Sequence, residues 1–286
     1  MVILILLILG LCFGSFVNAF VWRHYKQAEL KEQLAEGKKS KKKAELTADE
    51  LSITKGRSMC THCHHELAAK DLIPIVSYLW LRGKCRYCGK KIEDSPLAEL
   101  VTPLLFVISY LAWPHNLSGE GLVLFGLWLI FLIGFVALIL YDLRWFLLPH
   151  SIVMPLIGLA FLQVLLQSFV WGQGIRSLLM ALLGALVIGG LFFVLYTVSK
   201  GRWIGGGDIT LGVLLGLLVG GVPEALLVIF LASFIGTLIA VPLLATGKAD
   251  RTTHLPFGPF LIVAGIVVVL WGSRVLDWYG QTFLGL

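Results

Sequence analysis

The sequence predicts an all-α polytopic membrane protein with about eight transmembrane helices. Of its 286 residues, 58% are hydrophobic and only 14% are charged, which excludes an ordinary soluble globular domain. Apolar runs of about 20 residues recur along the chain, as expected of membrane-spanning helices. Basic residues fall in alternate loops between these runs, which is the charge pattern of a multi-pass membrane protein.

Eight apolar runs are candidate spans. They are 2–22, 97–113, 122–141, 152–171, 177–198, 209–222, 224–245 and 259–276. The runs 97–113 and 209–222 are short, and proline occurs at Pro103 and near the end of 224–245 as Pro242. The first run has no basic segment before it and no small-residue cleavage site after it, so it is predicted to be an anchor and not a signal peptide.

The distribution of positive charge predicts the orientation. With eight spans, one side of the membrane holds four loops and 21 of the 23 Lys and Arg residues. Those loops are 23–96, 142–151, 199–208 and 246–258. The other side holds only Arg176 and Arg274. Because short basic loops stay in the cytoplasm, we expect the four loops inside and both termini outside.

The net charge of +6 is therefore read as a topology signal, and no nucleic-acid partner is expected. Membrane lipid is the expected partner of the basic cluster Lys38 to Lys43, which can contact anionic head groups. The surrounding segment 23–55 is rich in Lys, Glu, Ala and Gln, and is predicted to be a solvated helix or a linker.

A stripe of small and polar residues marks the first span. Gly14, Ser15 and Asn18 recur at roughly helical spacing, and small residues allow membrane helices to pack closely. The stripe predicts a face that packs on another helix.

Two cysteine pairs predict a metal site in the loop 23–96. Cys60 and Cys63 form one C-x2-C pair, and Cys85 and Cys88 form a second pair after 21 intervening residues. This spacing suits a tetrahedral zinc site with four thiolate ligands. A cytoplasmic loop keeps its thiols reduced, which argues against disulfides. Four protein ligands leave no open position on the metal, so the zinc is expected to be structural.

Two aspartates are candidate catalytic residues. Asp142 follows one apolar run and Asp208 precedes another, so both are predicted at the same membrane depth on the cytoplasmic side. Two nearby carboxylates can share a proton and act as general base and general acid. The alternative is structural: Asp142 pairs with Arg144 at the surface, and Asp208 caps the helix that follows it.

Two further segments are candidate substrate-positioning elements. Gly205, Gly206 and Gly207 directly precede Asp208, and glycines let a backbone turn sharply or another backbone approach. The last cytoplasmic loop contains Pro256, Phe257 and Gly258, and its prolines impose a rigid entry to the final span. That loop either lines a substrate groove or redirects the chain.

In order along the chain, these motifs resemble those of the type IV prepilin leader peptidases, bacterial membrane aspartic proteases with a GxGD motif. The resemblance is carried by the segments 14–18, 71–85, 142–149, 205–208 and 256–260 together with the cysteine pairs. The chain departs from the family pattern at His150, where many relatives have Asp. The segment 25–55 is also longer than usual.

The resemblance implies that Asp142 and Asp208 form the catalytic pair of a peptidase. Such a peptidase cuts prepilin or pseudopilin leaders at the cytoplasmic face of the bacterial inner membrane. Members with the cysteine-rich loop typically also N-methylate the new amino terminus with S-adenosylmethionine. The implied division is a first transmembrane helix at 1–22, a cytoplasmic zinc loop at 23–96 and a seven-helix peptidase core at 97–286.

Other functions remain as alternatives. A peptidase without methyltransferase activity fits the same aspartates. A proton- or ion-coupled transporter would also use membrane acids, but it predicts carboxylates near mid-span and inverted repeats, which the sequence does not display. A structural membrane scaffold with a zinc loop leaves the paired aspartates unexplained.

Overall fold

The computed structural model describes residues 1–35, 47, 49–53, 55–92, 96–247 and 255–285. Its regular elements are helices, and the only β structure in these residues is two isolated bridges in the cysteine-rich loop. The predicted all-α class is confirmed. The basic cluster Lys38 to Lys43 lies outside the described residues. The chain divides into two compact units, Met1–Ile108 and Ser109–Leu286.

Nine α-helices can be followed along the described residues. They are α1 (Val2–Ala35), α2 (Val76–Trp80), α3 (Leu97–Ala112), α4 (Glu120–Trp145), α5 (His150–Leu165), α6 (Gly174–Ser199), α7 (Gly206–Val219), α8 (Val222–Ala245) and α9 (Gly258–Tyr279). A short 3₁₀ turn at Ala69–Asp71 precedes α2, and π-helical turns follow α5 and α9.

The predicted count of eight spans is not confirmed. Among the described residues, six helices are long and apolar enough to cross a membrane. The runs predicted at 97–113 and 209–222 form helices, but α3 and α7 have only 16 and 14 residues. At 1.5 Å per residue they extend about 24 and 21 Å, short of a hydrocarbon core of about 30 Å.

In the first unit, α1 packs closely on α3. A Cβ atom on Gly14 would lie 2.5 Å from the carbonyl oxygen of Ala98 and 2.8 Å from Cα of Glu99. The side chain of Asn18 is buried. The predicted packing face is therefore confirmed. Helix α1 also continues to Ala35, well past the expected end of the span at residue 22. The division into 1–22, 23–96 and 97–286 stays a functional prediction, since the compact units separate at Ile108.

In the second unit, the short helix α7 lies in the core. Its side chains Leu211, Leu214 and Leu215 are fully buried. Close packing on α6 depends on glycine, since a Cβ on Gly212 would lie 2.9 Å from Ile188. Neighbouring helices surround α7, so its N-terminus and Asp208 are held in a fixed position.

Candidate active site and metal centre

Asp142 lies in the last turn of α4. The residue is 6% exposed. The helix ends at Trp145, and Phe146 follows in the left-handed conformation with φ of 55°. The N–H of Phe146 donates to the carbonyl oxygen of Asp142 at 2.9 Å. The carboxylate is thereby placed at the end of a helix, where the chain turns towards the 147–149 segment.

Asp208 lies in the first turn of α7. The residue is 8% exposed, and its Oδ2 accepts a hydrogen bond from the N–H of Gly205 at 3.2 Å. A carboxylate in this position also interacts favourably with the positive end of the helix dipole. The structural alternative is thus partly correct: the Asp208 carboxylate caps the first turn, but from the third position of α7, and the N-cap residue is Gly205.

The two carboxylates interact with each other. The charge of Asp142 acts on Asp208 through space, although the residues come from separate helices. Both are buried, so little water screens their repulsion. Like charges in such a position favour a state in which the pair holds one proton. This is the arrangement that general acid and base catalysis requires.

The N-terminus of α9 contacts Asp142. The main-chain N–H of Gly258 hydrogen-bonds to the Asp142 carboxylate. A Cβ on Gly258 would lie 2.5 Å from Oδ2 of Asp142, so this approach requires glycine. Helix N-termini present N–H groups without intrahelical partners. The structure therefore places Gly258 against a carboxylate, whereas the sequence predicted a substrate-positioning role.

Leu148 packs between the two glycine-containing segments. A Cβ on Gly207 would lie 2.6 Å from Cβ of Leu148, and one on Gly258 would lie 3.4 Å from its Cδ1. The segment that follows α4 thereby fills the space between the starts of α7 and α9. Sequence reasoning missed this role of Leu148, because no periodicity or spacing connects it to either glycine.

The remaining predicted positioning residues have different surroundings. A Cβ on Gly205 would make ordinary contact with Asp208 at 3.5 Å, and one on Gly206 would lie 3.9 Å from Tyr196. Neither residue needs glycine for close packing, and neither has positive φ. The ring of Phe257 packs edge-on against Phe192 at 5.8 Å.

Pro256, the last of the predicted positioning residues, is half-buried in the segment leading to α9. Residues 248–254 of that loop lie outside the described residues. His150 begins α5 and is exposed.

The four predicted zinc ligands come together in the first unit. The sulfur atoms of Cys60, Cys63, Cys85 and Cys88 all lie within 4.8 Å of one another. The Sγ atoms of Cys60 and Cys88 are 3.9 Å apart. A tetrahedral zinc ion with Zn–S bonds of about 2.3 Å separates its sulfur ligands by about 3.8 Å. The cluster therefore fits zinc.

The two cysteine pairs form matching turns. The N–H groups of His62 and Tyr87 donate to the sulfurs of Cys60 and Cys85, each at 3.4 Å. A left-handed residue closes each turn, His64 in the first and Gly89 in the second. Such N–H donors stabilise thiolates, which are the form that binds metal.

The environment of Cys60 also bears on metal binding. Burial raises the pKa of the Cys60 thiol to about 12. A coordinated cation shifts such a thiol to its deprotonated form. Zinc binding at this cluster is therefore expected to release protons.

Asp71 ties the segment between the cysteine pairs to the second pair. Its carboxylate accepts hydrogen bonds from Nε of Arg86 at 2.7 Å and from the hydroxyl of Tyr87 at 3.0 Å. Burial acts to raise the pKa of Asp71, but these hydrogen bonds outweigh it and hold the pKa below its usual value. The ring of Tyr87 also stacks on His65 at 3.7 Å, which joins the two pairs.

Comparison with known proteins separates the same two parts of the chain. Residues 8–113 match the family described as Bacterial Peptidase A24 N-terminal domain. Residues 129–241 match the Type IV leader peptidase family. The four cysteines fall in the first match and both aspartates in the second. Gly258 lies beyond both.

Curated relatives of this chain carry the name prepilin leader peptidase/N-methyltransferase. The protein of Stutzerimonas stutzeri is 32% identical over 98% of this chain and 94% of its own length. The protein of Aeromonas hydrophila is 33% identical over 96% of this chain and 92% of its own length. The protein of Bacillus subtilis is 32% identical over 82% of this chain and 90% of its own length. No solved structure gives a significant match.

Proposed function

This chain belongs to the type IV leader peptidase family, and on that premise we propose that Asp142 and Asp208 are its catalytic pair. The enzyme is a membrane aspartic peptidase that removes the leader peptide of type IV prepilins or pseudopilins. One observation carries the assignment: two buried carboxylates from separate helices interact, and each accepts a main-chain N–H. Acidic residues at membrane depth are costly and mark functional sites.

The mechanism follows from a pair that holds one proton. The ionised aspartate takes a proton from a water molecule, and the resulting hydroxide adds to the carbonyl carbon of the scissile peptide. The protonated aspartate gives its proton to the carbonyl oxygen. The aspartate that took a proton from water then gives it to the peptide nitrogen, and the C–N bond breaks. The leader leaves as a carboxylic acid, and the other aspartate recovers a proton from a hydroxyl of the tetrahedral intermediate. The N–H groups of Gly258 and Gly205 hold the two carboxylates in orientation.

Cleavage exposes a new amino terminus on the pilin, and this amine is the proposed substrate of the second activity. S-adenosylmethionine, when bound, would supply the methyl group: a carbon–nitrogen bond would form at this amine as the carbon–sulfur bond of the sulfonium breaks to leave a neutral thioether, and the amine would lose one proton overall. This activity is supported by the name shared by relatives that align over nearly the whole chain.

Zinc has a structural role in this proposal. Cys60, Cys63, Cys85 and Cys88 would hold the ion, and four thiolates leave no position for water or substrate. The ion joins the two ends of the 60–88 segment. It would also fix the position of α2, which lies between the cysteine pairs.

The protein is a multi-pass membrane protein, and we place it in the bacterial inner membrane with the aspartate pair facing the cytoplasm. The distribution of Lys and Arg supports this orientation. Prepilin or pseudopilin and membrane lipid are the proposed partners, and no nucleic acid is expected. Residues 97–286 are the proposed peptidase core and 23–96 the zinc loop.

The transporter alternative is not supported, because the relatives are peptidases. Asp142 and Asp208 also lie at helix ends, whereas a transporter would place its coupling acids near mid-span. A peptidase without methyltransferase activity remains the competing form of the proposal.

The test is the mass of a model prepilin after incubation with the purified full-length protein in lipid nanodiscs. With S-adenosylmethionine present, we expect loss of the leader followed by a gain of one methyl group. Without it, we expect loss of the leader alone. Cleavage that is never followed by methylation would reject the second activity and leave the peptidase. An intact substrate under all conditions would reject both.

A further inference from the structure

A cavity of about 160 Å³ lies in the first unit between α1, the cysteine-rich loop and the start of α3. At roughly 10–15 Å³ per water molecule, this cavity has room for about a dozen waters. The cavity belongs to a different unit from Asp142 and Asp208, and the peptidase mechanism does not use it.

A buried arginine lines this cavity. Arg23 is 7% exposed, and its guanidinium donates to the carbonyl oxygen of Ser52 at 3.1 Å. Within the described part of the chain, no carboxylate lies within ion-pair distance of Arg23. A buried cation without a counter-charge is costly, and a guanidinium is well suited to bind a carboxylate through two parallel hydrogen bonds. The cavity is therefore prepared for an anionic group.

The other walls offer aromatic surface and negative charge. The half-buried rings of Trp22 and Tyr78 line the cavity, as does the carboxylate of Glu99. Oε2 of Glu99 accepts the N–H of Ile75 at 2.6 Å, which fixes the start of the helix that carries Tyr78. Aromatic rings stack on nucleobases and attract cations over their faces.

These groups match the chemistry of S-adenosylmethionine, which has a carboxylate, two positive charges and an adenine ring. We propose that this cavity is the methyl-donor site, with Arg23 binding the carboxylate of the methionyl part. Trp22 and Tyr78 provide the surface for the adenine, and Glu99 provides negative charge for the cationic part. The inference rests on the proposed methyltransferase function and names its site.

The location also gives the zinc cluster a role in this activity. The two buried ligands, Cys60 and Cys85, are part of the cavity wall. A zinc ion at the cluster therefore holds one side of the donor site in place. The opposite side is held by the close packing of Gly14 of α1 on Glu99 of α3.

The test is direct binding by equilibrium dialysis of zinc-loaded full-length protein in nanodiscs. Two ligands are compared, S-adenosylmethionine and 5′-methylthioadenosine, which lacks the carboxylate. Only the first ligand pairs with the guanidinium. Arg23→Gln should therefore weaken the binding of S-adenosylmethionine by at least about tenfold and leave the affinity for 5′-methylthioadenosine unchanged. The matched control is Arg57→Gln, an arginine of the cysteine-rich segment in the same unit. Arg57 is exposed and pairs with Glu66, so its loss should change neither affinity.

If Arg23→Gln retains zinc and lowers the affinity for both ligands equally, the proposal is overturned. If that variant loses zinc and fails to fold, the site is tested by ultraviolet cross-linking of labelled S-adenosylmethionine to the wild-type protein. Labelled peptides containing Trp22 or Tyr78 support the site, and labels confined to other segments contradict it.

The site and the methyltransferase function can fail separately. If the wild type methylates a cleaved pilin but Arg23→Gln binds the donor normally, the site is wrong and the function stands. If the wild type cleaves but neither binds the donor nor methylates, the function itself is wrong, and the site with it.

Discussion

Gly258 and Asp142 are in direct contact: a Cβ atom on Gly258 would lie 2.5 Å from Oδ2 of Asp142. The same glycine gives its main-chain N–H to that carboxylate. The last helix of the chain therefore begins at one of the two proposed catalytic groups. Its first residue is glycine because any side chain would displace the carboxylate.

Gly258→Ala is expected to lower the turnover of prepilin cleavage by roughly a hundredfold, because a shift of about 1 Å at a catalytic group has effects of that size. The change should alter kcat more than KM, since the substrate does not need the lost space. Turnover is measured with a model prepilin. Gly280→Ala is the matched control, since Gly280 has φ of −58° and open space at its Cβ position. Wild-type turnover in Gly258→Ala would contradict the proposed role of this contact.

Gly207→Ala is expected to impair cleavage more than Gly206→Ala. The added Cβ would lie 2.6 Å from Cβ of Leu148 in the first variant and 3.9 Å from Tyr196 in the second. Forcing an extra carbon into a packed contact typically costs about 1–3 kcal/mol, which we expect as a lower melting temperature together with lower activity.

The contact between Gly207 and Leu148 can be tested by a double-mutant cycle. Leu148→Gly removes the Cβ that an alanine at 207 would meet. The double variant should therefore lose less activity than the sum of the two single variants predicts. Simple additivity of the two changes would show that the clash is not the cause.

Zinc retention is expected to decrease as the pH is lowered. Each thiolate ligand takes up a proton when the metal leaves. The thiolate of Cys60 does so readily, because the pKa of this thiol is about 12 in the absence of metal. Lower pH therefore favours the metal-free form. The measurement is zinc content after dialysis against a chelator at about pH 8 and about pH 5. Zinc content that is equal at both pH values would be evidence against thiolate ligation.

Cysteine variants check the identity of the metal ligands. Cys85→Ser should abolish zinc binding at about pH 8, because three thiolates hold zinc less well than four. Cys12→Ser should bind one zinc per chain as the wild type does, since Cys12 lies in α1 outside the cluster. A full zinc content in Cys85→Ser would remove Cys85 from the ligand set.

The elements with a strong local signal could be predicted from the sequence. The spacing of the four cysteines defines two turns whatever the rest of the chain does, and the structure brings their sulfurs together. The apolar runs became helices at the predicted places. Asp142 and Asp208 were recognisable because a charge at the end of an apolar run is unusual.

Other features depend on packing between distant segments and left no signal in the sequence. The contacts of Gly258 with Asp142 and of Gly207 with Leu148 arise only when α4, α7 and α9 assemble. The count of eight spans is not confirmed. Hydropathy reports apolar character, and α7 is apolar and largely buried but has only 14 residues. The unpaired charge of Arg23 could not be foreseen, because pairing depends on which carboxylates lie nearby.

The catalytic roles of the two aspartates are tested by comparing Asp142→Asn, Asp208→Asn and the control Asp277→Asn on a model prepilin, with protein in nanodiscs and product mass as the readout. Asp277 is an exposed residue of α9. We expect leader removal by the wild type and by Asp277→Asn, and no removal by Asp142→Asn or Asp208→Asn. Cleavage at the wild-type rate by Asp142→Asn or Asp208→Asn, both correctly folded, would contradict it.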